Sequence, residues 1–227
     1  MLIRESVIQD QIQYISDKNL AISRNQILFT VLSVLFLALI LLLQYRKLSQ
    51  EQLEAEMENS RNFRNMANTD SMTGVRNKHA YSENEAELNQ KIRDGQIEKL
   101  AVAVCDINGL KHVNDTEGHA AGDKLIKDAC ALICEYYTHG AVFRIGGDEF
   151  VVLLQDKGYD TMQEVTDALN RKMEENIEKN GVVISIGYAC LTPEDTQLRD
   201  VFDRADQMMY ERKKQLKAMG AKTRHDE

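Results

Sequence analysis

The residues with the clearest chemical potential lie in the segment 144–150, Arg-Ile-Gly-Gly-Asp-Glu-Phe, which has short apolar runs on both sides. This pattern predicts a β-hairpin whose turn lies near Gly146 and Gly147. Glycine allows a backbone to approach a ligand closely. We therefore expect Asp148 and Glu149 to stand at the sheet edge, where carboxylates hold hard cations and act beside phosphates.

A third carboxylate follows the apolar run 100–105, which predicts a buried central strand. Asp106 would leave that strand beside the hairpin and form a cluster with Asp148 and Glu149. Binding of Mg²⁺ is the simplest way to offset the electrostatic repulsion between these carboxylates. The alternative for Asp106 alone is that it caps the following turn.

The segment 106–123 extends this constellation, because it matches D-x-[DN]-x-[FL]-K-x-[IV]-N-D-x-x-G-H-x-x-G-D at every position. With the hairpin run, it resembles the GGDEF family, the diguanylate cyclases that join two GTP molecules into cyclic di-GMP. The segment 70–78 is similar to the family's opening D-x-L-T-G-L-x-N-R, with Met72, Val75 and Lys78 as departures. The segment 204–210 resembles the family's final helix, so the resemblance covers residues 68–218.

The resemblance implies a role for each matching residue in metal binding and catalysis. Asp106, the backbone carbonyl of Ile107 and Asp148 would be the metal ligands, for Mg²⁺ or alternatively Mn²⁺. Asp148 would also be the general base. Glu149 would assist at the metal and orient the guanine side.

The resemblance also implies the residues that bind the substrate GTP. Asn114 and Asp123 would bind guanine, and Lys213 and Lys217 would bind phosphate. Lys217 stands where the family usually has Arg, so it keeps the charge but lacks the bidentate fork. The nucleotide would also lie against Gly146 and Gly147. His119 would bind the nucleotide as well, although a structural role for it is an equal alternative.

Helical and extended patterns alternate from residue 68 onward, which predicts an α/β (α+β) sandwich with one mixed sheet. The resemblance implies a palm domain like that of nucleotidyl cyclases. The predicted helices are 78–95, 118–137, 161–179 and 197–218; the predicted strands are 100–106, a hairpin over 141–155, and 182–189.

The run 27–43 carries no charge and would extend about 25 Å as a helix, which predicts one transmembrane segment. Arg46 and Lys47 on its C-terminal side, against Arg24 on the other, favour a cytoplasmic C-terminal side. A GTP-consuming domain also has to face the compartment that holds GTP. We therefore expect a single-pass protein of the bacterial inner (cytoplasmic) membrane.

The remaining segments would connect and flank these two parts. Residues 1–26 are predicted to be a short extracytoplasmic helix, and 219–227 a C-terminal tail. Residues 44–67 lack Gly and Pro and predict a helical connector, which either pairs as a coiled coil in a dimer or stays a single solvated helix. The stimulus would then come from an upstream sensor or a partner receptor.

The net charge and the cysteines of the chain argue against two classes of function. A net charge of −8 argues against a protein that coats nucleic acid. The four cysteines form no zinc-like pattern and are predicted to be buried, reduced thiols.

The leading interpretation is a membrane-bound, homodimeric diguanylate cyclase in which each domain holds one GTP. The alternative is an inactive GGDEF domain that senses GTP or cyclic di-GMP or serves dimerisation. Many family members carry an inhibitory product site, R-x-x-D, nine residues before the first signature glycine. Residues 137–140, Tyr-Thr-His-Gly, have neither the Arg nor the Asp, so feedback by that route should be absent.

Overall fold

The computed structural model describes the backbone of residues 2–221 and the side chains of residues 10–61 and 63–221. The last six residues of the predicted tail lie outside the described residues. The chain divides into two compact units, Met1–Asn62 and Phe63–Glu227.

Every described residue of the first unit belongs to helix α1 (Leu2–Asn68). The side chains of the apolar run 27–43 are exposed with one exception, Ile40, which is half-buried. In the described part of the chain, α1 is the one helix that is long and apolar enough to cross a membrane. The helical predictions for 1–26, 27–43 and 44–67 agree with α1, whereas their division into three functional segments stays a prediction.

The second unit is built on a five-stranded mixed sheet with the order β1-β3-β4-β2-β5. Only β1 and β3 pair in parallel, and the other pairs are antiparallel. The strands are β1 (Arg76–Asn77), β2 (Leu100–Ile107), β3 (Gly140–Arg144), β4 (Glu149–Gln155) and β5 (Ile184–Cys190). The helices that follow α1 are α2 (Lys78–Arg93), α3 (Leu110–Glu117), α4 (His119–Tyr136), α5 (Asp156–Glu178) and α6 (Leu198–Ala218).

Strand β2 explains why both faces of the sheet are covered by helices. All of its residues are buried, and they alternate between two hydrophobic clusters. Ala101, Ala103 and Cys105 face the cluster that contains α4 and α5. Val102 and Val104 face the cluster that contains α2 and most of the buried part of α6. The predicted sandwich with one mixed sheet is confirmed.

Helix α6 lies very close to strand β5, and this closeness depends on Gly187. A Cβ atom at that position would lie 2.1 Å from the backbone nitrogen of Met209 and 2.4 Å from the carbonyl oxygen of Ala205. Any larger residue would push the helix away from the sheet. Since α6 carries Lys213, whose ammonium contacts Asp106 near the end of β2, the close packing at Gly187 supports that contact.

Two predictions about elements and burial need correction. Helix α3 was not predicted; it lies between Gly109 and Gly118, both at positive φ, and buries none of its residues. Cys105 and Cys130 are buried as expected, but Cys134 and Cys190 are only half-buried. All four cysteines are free thiols.

Candidate active site

The three predicted carboxylates come from β2, from β4 and from the turn directly before β4. Asp106 is paired in register with Glu149, which is the first residue of β4. The backbone N–H of Ile107 donates to the carbonyl oxygen of Asp148 at 3.0 Å. The edge they occupy is the end of two interior strands rather than a free edge strand. The structure therefore brings Asp106, Ile107, Asp148 and Glu149 together as predicted.

The Asp106 carboxylate is buried and is held by Lys213. Burial raises its pKa, the hydrogen bond and charge of Lys213 oppose that rise, and the charges of Asp148 and Glu149 add to it. The net effect is a raised pKa for Asp106. Lys213 Nζ lies 2.5 Å from Asp106 Oδ1, so an ammonium group already faces the carboxylate cluster.

The turn between β3 and β4 is fixed by Arg144, to which the sequence analysis gave no role. Its guanidinium donates to the carbonyl oxygen of Gly147 at 2.8 Å and to Asp70 Oδ1 at 3.1 Å. Asp70 also accepts hydrogen bonds from the backbone and hydroxyl of Thr73, and so closes the loop that precedes β1. Arg144 thus ties the Gly-Gly turn to a loop distant in sequence.

The ionised form of Asp70 is favoured by this arrangement. Burial alone would raise the pKa of Asp70, but the hydrogen bonds from Thr73 and Arg144 outweigh it and lower the pKa below its usual value of 3.8. A carboxyl group with a lowered pKa in the fold stabilises the protein above its unfolded-state pKa. That contribution is lost as the pH falls through the folded-state value.

We expect Asp70→Asn to lower the free energy of unfolding at pH 7 by about 1 kcal/mol, because hydrogen bonds to a charged acceptor are lost. The deficit should shrink at a pH below the lowered folded-state pKa of Asp70, where the wild-type carboxyl is protonated as well. The free energy of unfolding of both proteins is measured by urea denaturation, followed by circular dichroism, at pH 7 and at the low pH. Asp167→Asn, at an exposed position on α5, is the control and should stay within ~0.5 kcal/mol of wild type. A deficit that is the same at both pH values would contradict this reading of Asp70.

The predicted guanine-binding residues lie on α3 and α4, which meet at Gly118. A Cβ atom on Gly122 would lie 1.9 Å from Asn114 Oδ1, so the Asn114 amide rests on the backbone of α4 next to Asp123. Asn114 is half-buried, whereas Asp123 and His119 are exposed. The structure therefore brings Asn114 next to the α4 backbone that carries Asp123, and it gives exposed His119 no role in the core.

The remaining predicted binding residues have different surroundings. A Cβ atom on Gly146 would lie 2.6 Å from Glu149 Oε2, so the Glu149 side chain folds back over the turn. Gly147 is exposed and has open space around it. Lys217 is exposed, one helical turn after Lys213 on α6.

The donor set fits a hard divalent cation in its chemistry. Carboxylate and carbonyl oxygens are the ligands that Mg²⁺ prefers, and Asp106, Asp148 and Ile107 supply both kinds. A cationic group, Lys213 Nζ, is already drawn to the same carboxylate. Among the described residues, no three His, Cys, Asp or Glu side chains are grouped closely enough to hold a metal by themselves. Ligation would therefore use two carboxylates and a backbone oxygen.

A separate cavity of about 400 Å³ opens between α3, α4 and the C-terminal ends of α5 and α6. Val113, Leu125 and Val183 are among its apolar lining residues. None of the predicted site residues lines it. The carboxylate cluster lies outside this cavity, where β2 ends and β4 begins.

The comparison with known families agrees with this geometry. Residues 67–219 match the family described as diguanylate cyclase, GGDEF domain. The chain belongs to the GGDEF domain family. The GGDEF domain of this chain thus includes every predicted site residue from Asp106 to Lys217.

Two relatives illustrate the family in other bacteria. Diguanylate cyclase A of Treponema denticola is 31% identical over 157 residues, covering 65% of this chain and 42% of the relative. An uncharacterized membrane protein of Staphylococcus aureus is 29% identical over 161 residues, covering 67% of this chain and 45% of the relative. The chain thus spans less than half the length of these relatives. At the level of the family, the GGDEF domain is associated with cyclic di-GMP synthesis.

Two solved structures share the fold of the GGDEF domain. The coiled coil and GGDEF domain of DgcB from Caulobacter crescentus, in complex with c-di-GMP, is 22% identical with a TM-score of 0.63, covering 74% of this chain and 91% of that one. The diguanylate cyclase SiaD from Pseudomonas aeruginosa, in complex with its activator SiaC, is 21% identical with a TM-score of 0.72, covering 97% of this chain and 85% of that one. These likenesses confirm the predicted GGDEF palm-like fold with a helical N-terminal region.

Proposed function

We propose that the chain is a Mg²⁺-dependent diguanylate cyclase that condenses two GTP molecules into cyclic di-GMP and two pyrophosphates. The observation that carries this proposal is the meeting of Asp106, Asp148 and Glu149 at one end of β2 and β4, with Lys213 beside them. An inactive signalling domain would have no need to keep this set intact. The family membership supports the same reaction.

In the proposed reaction, the 3′-hydroxyl of one GTP attacks the α-phosphate of the other. A new phosphorus–oxygen bond forms, the bond to the β-phosphate breaks, and pyrophosphate leaves; a second such step closes the ring. Asp148 accepts the proton of the attacking hydroxyl. Asn114 and Asp123 hold the guanine base, and Lys213 and Lys217 bind the phosphates. Mg²⁺, when bound, neutralises charge on the phosphates and favours ionisation of the hydroxyl.

Each chain carries one set of these residues, so two domains have to face each other for reaction. We propose a homodimer, with α1 bringing two GGDEF domains together through the connector segment. Holding two reactants in a fixed orientation supplies much of the rate enhancement in such transfers.

We place the protein in the inner membrane through residues 27–43, with the GGDEF domain in the cytoplasm. The apolar helix and the membrane-protein relative support this placement. The input would come from an upstream sensor or a partner protein. SiaD, which is similar in fold, was crystallised with an activator, and this supports a protein partner as one source of input.

The decisive experiment is incubation of the full chain, purified in detergent, with GTP and Mg²⁺, followed by chromatography for cyclic di-GMP. We expect product that disappears when EDTA is added and when Asp106 is replaced by Asn. GTP binding without product would instead favour the alternative, an inactive GGDEF domain that senses nucleotide.

The enzyme should also show only weak, competitive inhibition by its product. Tyr137, where many family members have Arg, is buried and its hydroxyl is hydrogen-bonded to that of Thr166 at 2.7 Å. At Gly140, in place of Asp, a Cβ atom would lie 2.4 Å from Val152 Cγ1. Neither position presents a charged group to a ligand. Initial rates at several GTP and cyclic di-GMP concentrations test this, and tight non-competitive inhibition would reveal a different product site.

A further inference from the structure

The contact between Lys213 and Asp106 joins two residues that are 107 positions apart in the chain. Lys213 lies on α6 and Asp106 at the end of β2. Their side chains are 30% and 10% exposed, and Nζ lies 2.5 Å from Oδ1. A charge-assisted hydrogen bond of this kind, largely shielded from water, is stronger than a surface ion pair.

The surroundings of Asp106 explain why a cation is held there. A buried carboxylate requires a compensating positive charge. The charges of Asp148 and Glu149 increase that requirement. Among the described residues, the Lys213 ammonium is the cationic group hydrogen-bonded to the Asp106 carboxylate.

A divalent cation would satisfy the same requirement, but not together with the ammonium. Two positive groups a few ångströms apart on one carboxylate repel each other strongly in a poorly hydrated site. Either the ammonium moves away or the metal binds weakly. Because the Lys213 side chain is long and flexible, its ammonium group can move to another anion within reach.

We propose that the Lys213 ammonium competes with the divalent cation for Asp106, and that nucleotide phosphates end the competition by binding the ammonium. This inference rests on the proposed function in taking Asp106 as a ligand of the divalent cation and GTP phosphates as the new partner of Lys213. The metal-binding site of the nucleotide-free protein is therefore weak. Metal and nucleotide load together rather than independently, because each removes the obstacle to the other.

The first test measures Mn²⁺ binding to the full chain in nanodiscs without nucleotide, by the electron paramagnetic resonance signal of free Mn²⁺. Lys213→Gln should bind Mn²⁺ at least ~10-fold more tightly than wild type, a coupling of ordinary size. Lys213→Arg, which keeps the charge, should stay near the wild-type value. Lys214→Gln is the matched control, because the Lys214 ammonium lies 4.2 Å from the ring centre of Tyr210 and away from Asp106. It should also leave the affinity unchanged.

The second test measures the reverse effect in EDTA, with the α,β-methylene analogue of GTP as probe in isothermal titration calorimetry. Asp106→Asn releases Lys213 and should bind the analogue at least ~5-fold more tightly than wild type. Asp148→Asn also removes a carboxylate, yet it leaves Lys213 bound to Asp106. Its gain in affinity for the GTP analogue should therefore be clearly smaller.

The proposal is overturned if Lys213→Gln binds Mn²⁺ no more tightly than Lys213→Arg. It is equally overturned if Asp106→Asn gains no more analogue affinity than Asp148→Asn. Neither measurement depends on turnover. A chain that shows both gains but makes no cyclic di-GMP would refute the proposed function and support the competition, and a chain that makes cyclic di-GMP without these gains would do the opposite.

Discussion

Replacing Asp148 by Asn is expected to reduce the rate of cyclic di-GMP synthesis by at least ~10³-fold, since one side chain is assigned both proton transfer and metal ligation. Asp148 lies in the turn directly before β4, and its carbonyl oxygen accepts the N–H of Ile107. That backbone contact does not involve the carboxylate. The substitution should therefore leave the hairpin in place while it removes the reactive group.

The measurement is the initial rate of product formation at saturating GTP, with circular dichroism to compare the folds. Asp167→Asn again serves as the control, because it also removes a carboxylate, but an exposed one on α5 that is not among the predicted site residues. It should retain the wild-type rate. Wild-type-like turnover in Asp148→Asn would rule out the role assigned to this residue.

The second large effect concerns protein concentration. A soluble fragment of residues 68–227 carries one set of the proposed catalytic residues, so in the proposed mechanism it has to meet a second copy before it can react. Below the dissociation constant of the dimer, a tenfold dilution should lower the specific activity roughly tenfold. Sedimentation across the same dilution series should show a monomer that becomes a dimer as activity rises.

Tethering should remove this dependence. Restoring residues 44–67, or replacing them with a parallel leucine zipper, raises the effective concentration of one domain at the other. The specific activity should then stay nearly constant over the dilution range. A fragment that sediments as a monomer and keeps a constant specific activity would show that a single domain suffices and that the two-domain mechanism is wrong.

The elements with strong periodic patterns were predictable from sequence. The apolar run 100–105 indicated a buried strand, and β2 is buried along its whole length. The Gly-Gly pair indicated the turn between β3 and β4. Helix α3 was missed because its eight residues include only two apolar ones, Leu110 and Val113, which are too few to show a helical period. The sequence feature that could have indicated α3 is the pair Gly109 and Gly118, one at each end of the helix.

The contacts that complete the site could not be predicted, because they join residues far apart in the chain. Arg144 and Asp70 are 74 positions apart, and Lys213 and Asp106 are 107 apart. Sequence spacing places residues on one helix face or one strand, but says nothing about which side chains meet across the sheet. The resemblance assigned Lys213 to phosphate binding, whereas its contact with Asp106 emerged only from the packing of α6 on β5.

The contrast between β2 and α3 means that the two halves of the site differ in local stability. Asp106 ends a strand that is hydrogen-bonded to neighbours on both sides, so its amides open only when the sheet itself unfolds. Asn114 belongs to a short helix with no buried residue and a glycine at each end, and such a segment opens at a small fraction of the global free energy. In the proposed mode of GTP binding, the carboxylates would lie on the more stable of these two elements and the guanine-binding Asn114 on the less stable one. We therefore expect nucleotide binding to slow amide hydrogen exchange more in residues 110–117 than in residues 100–107.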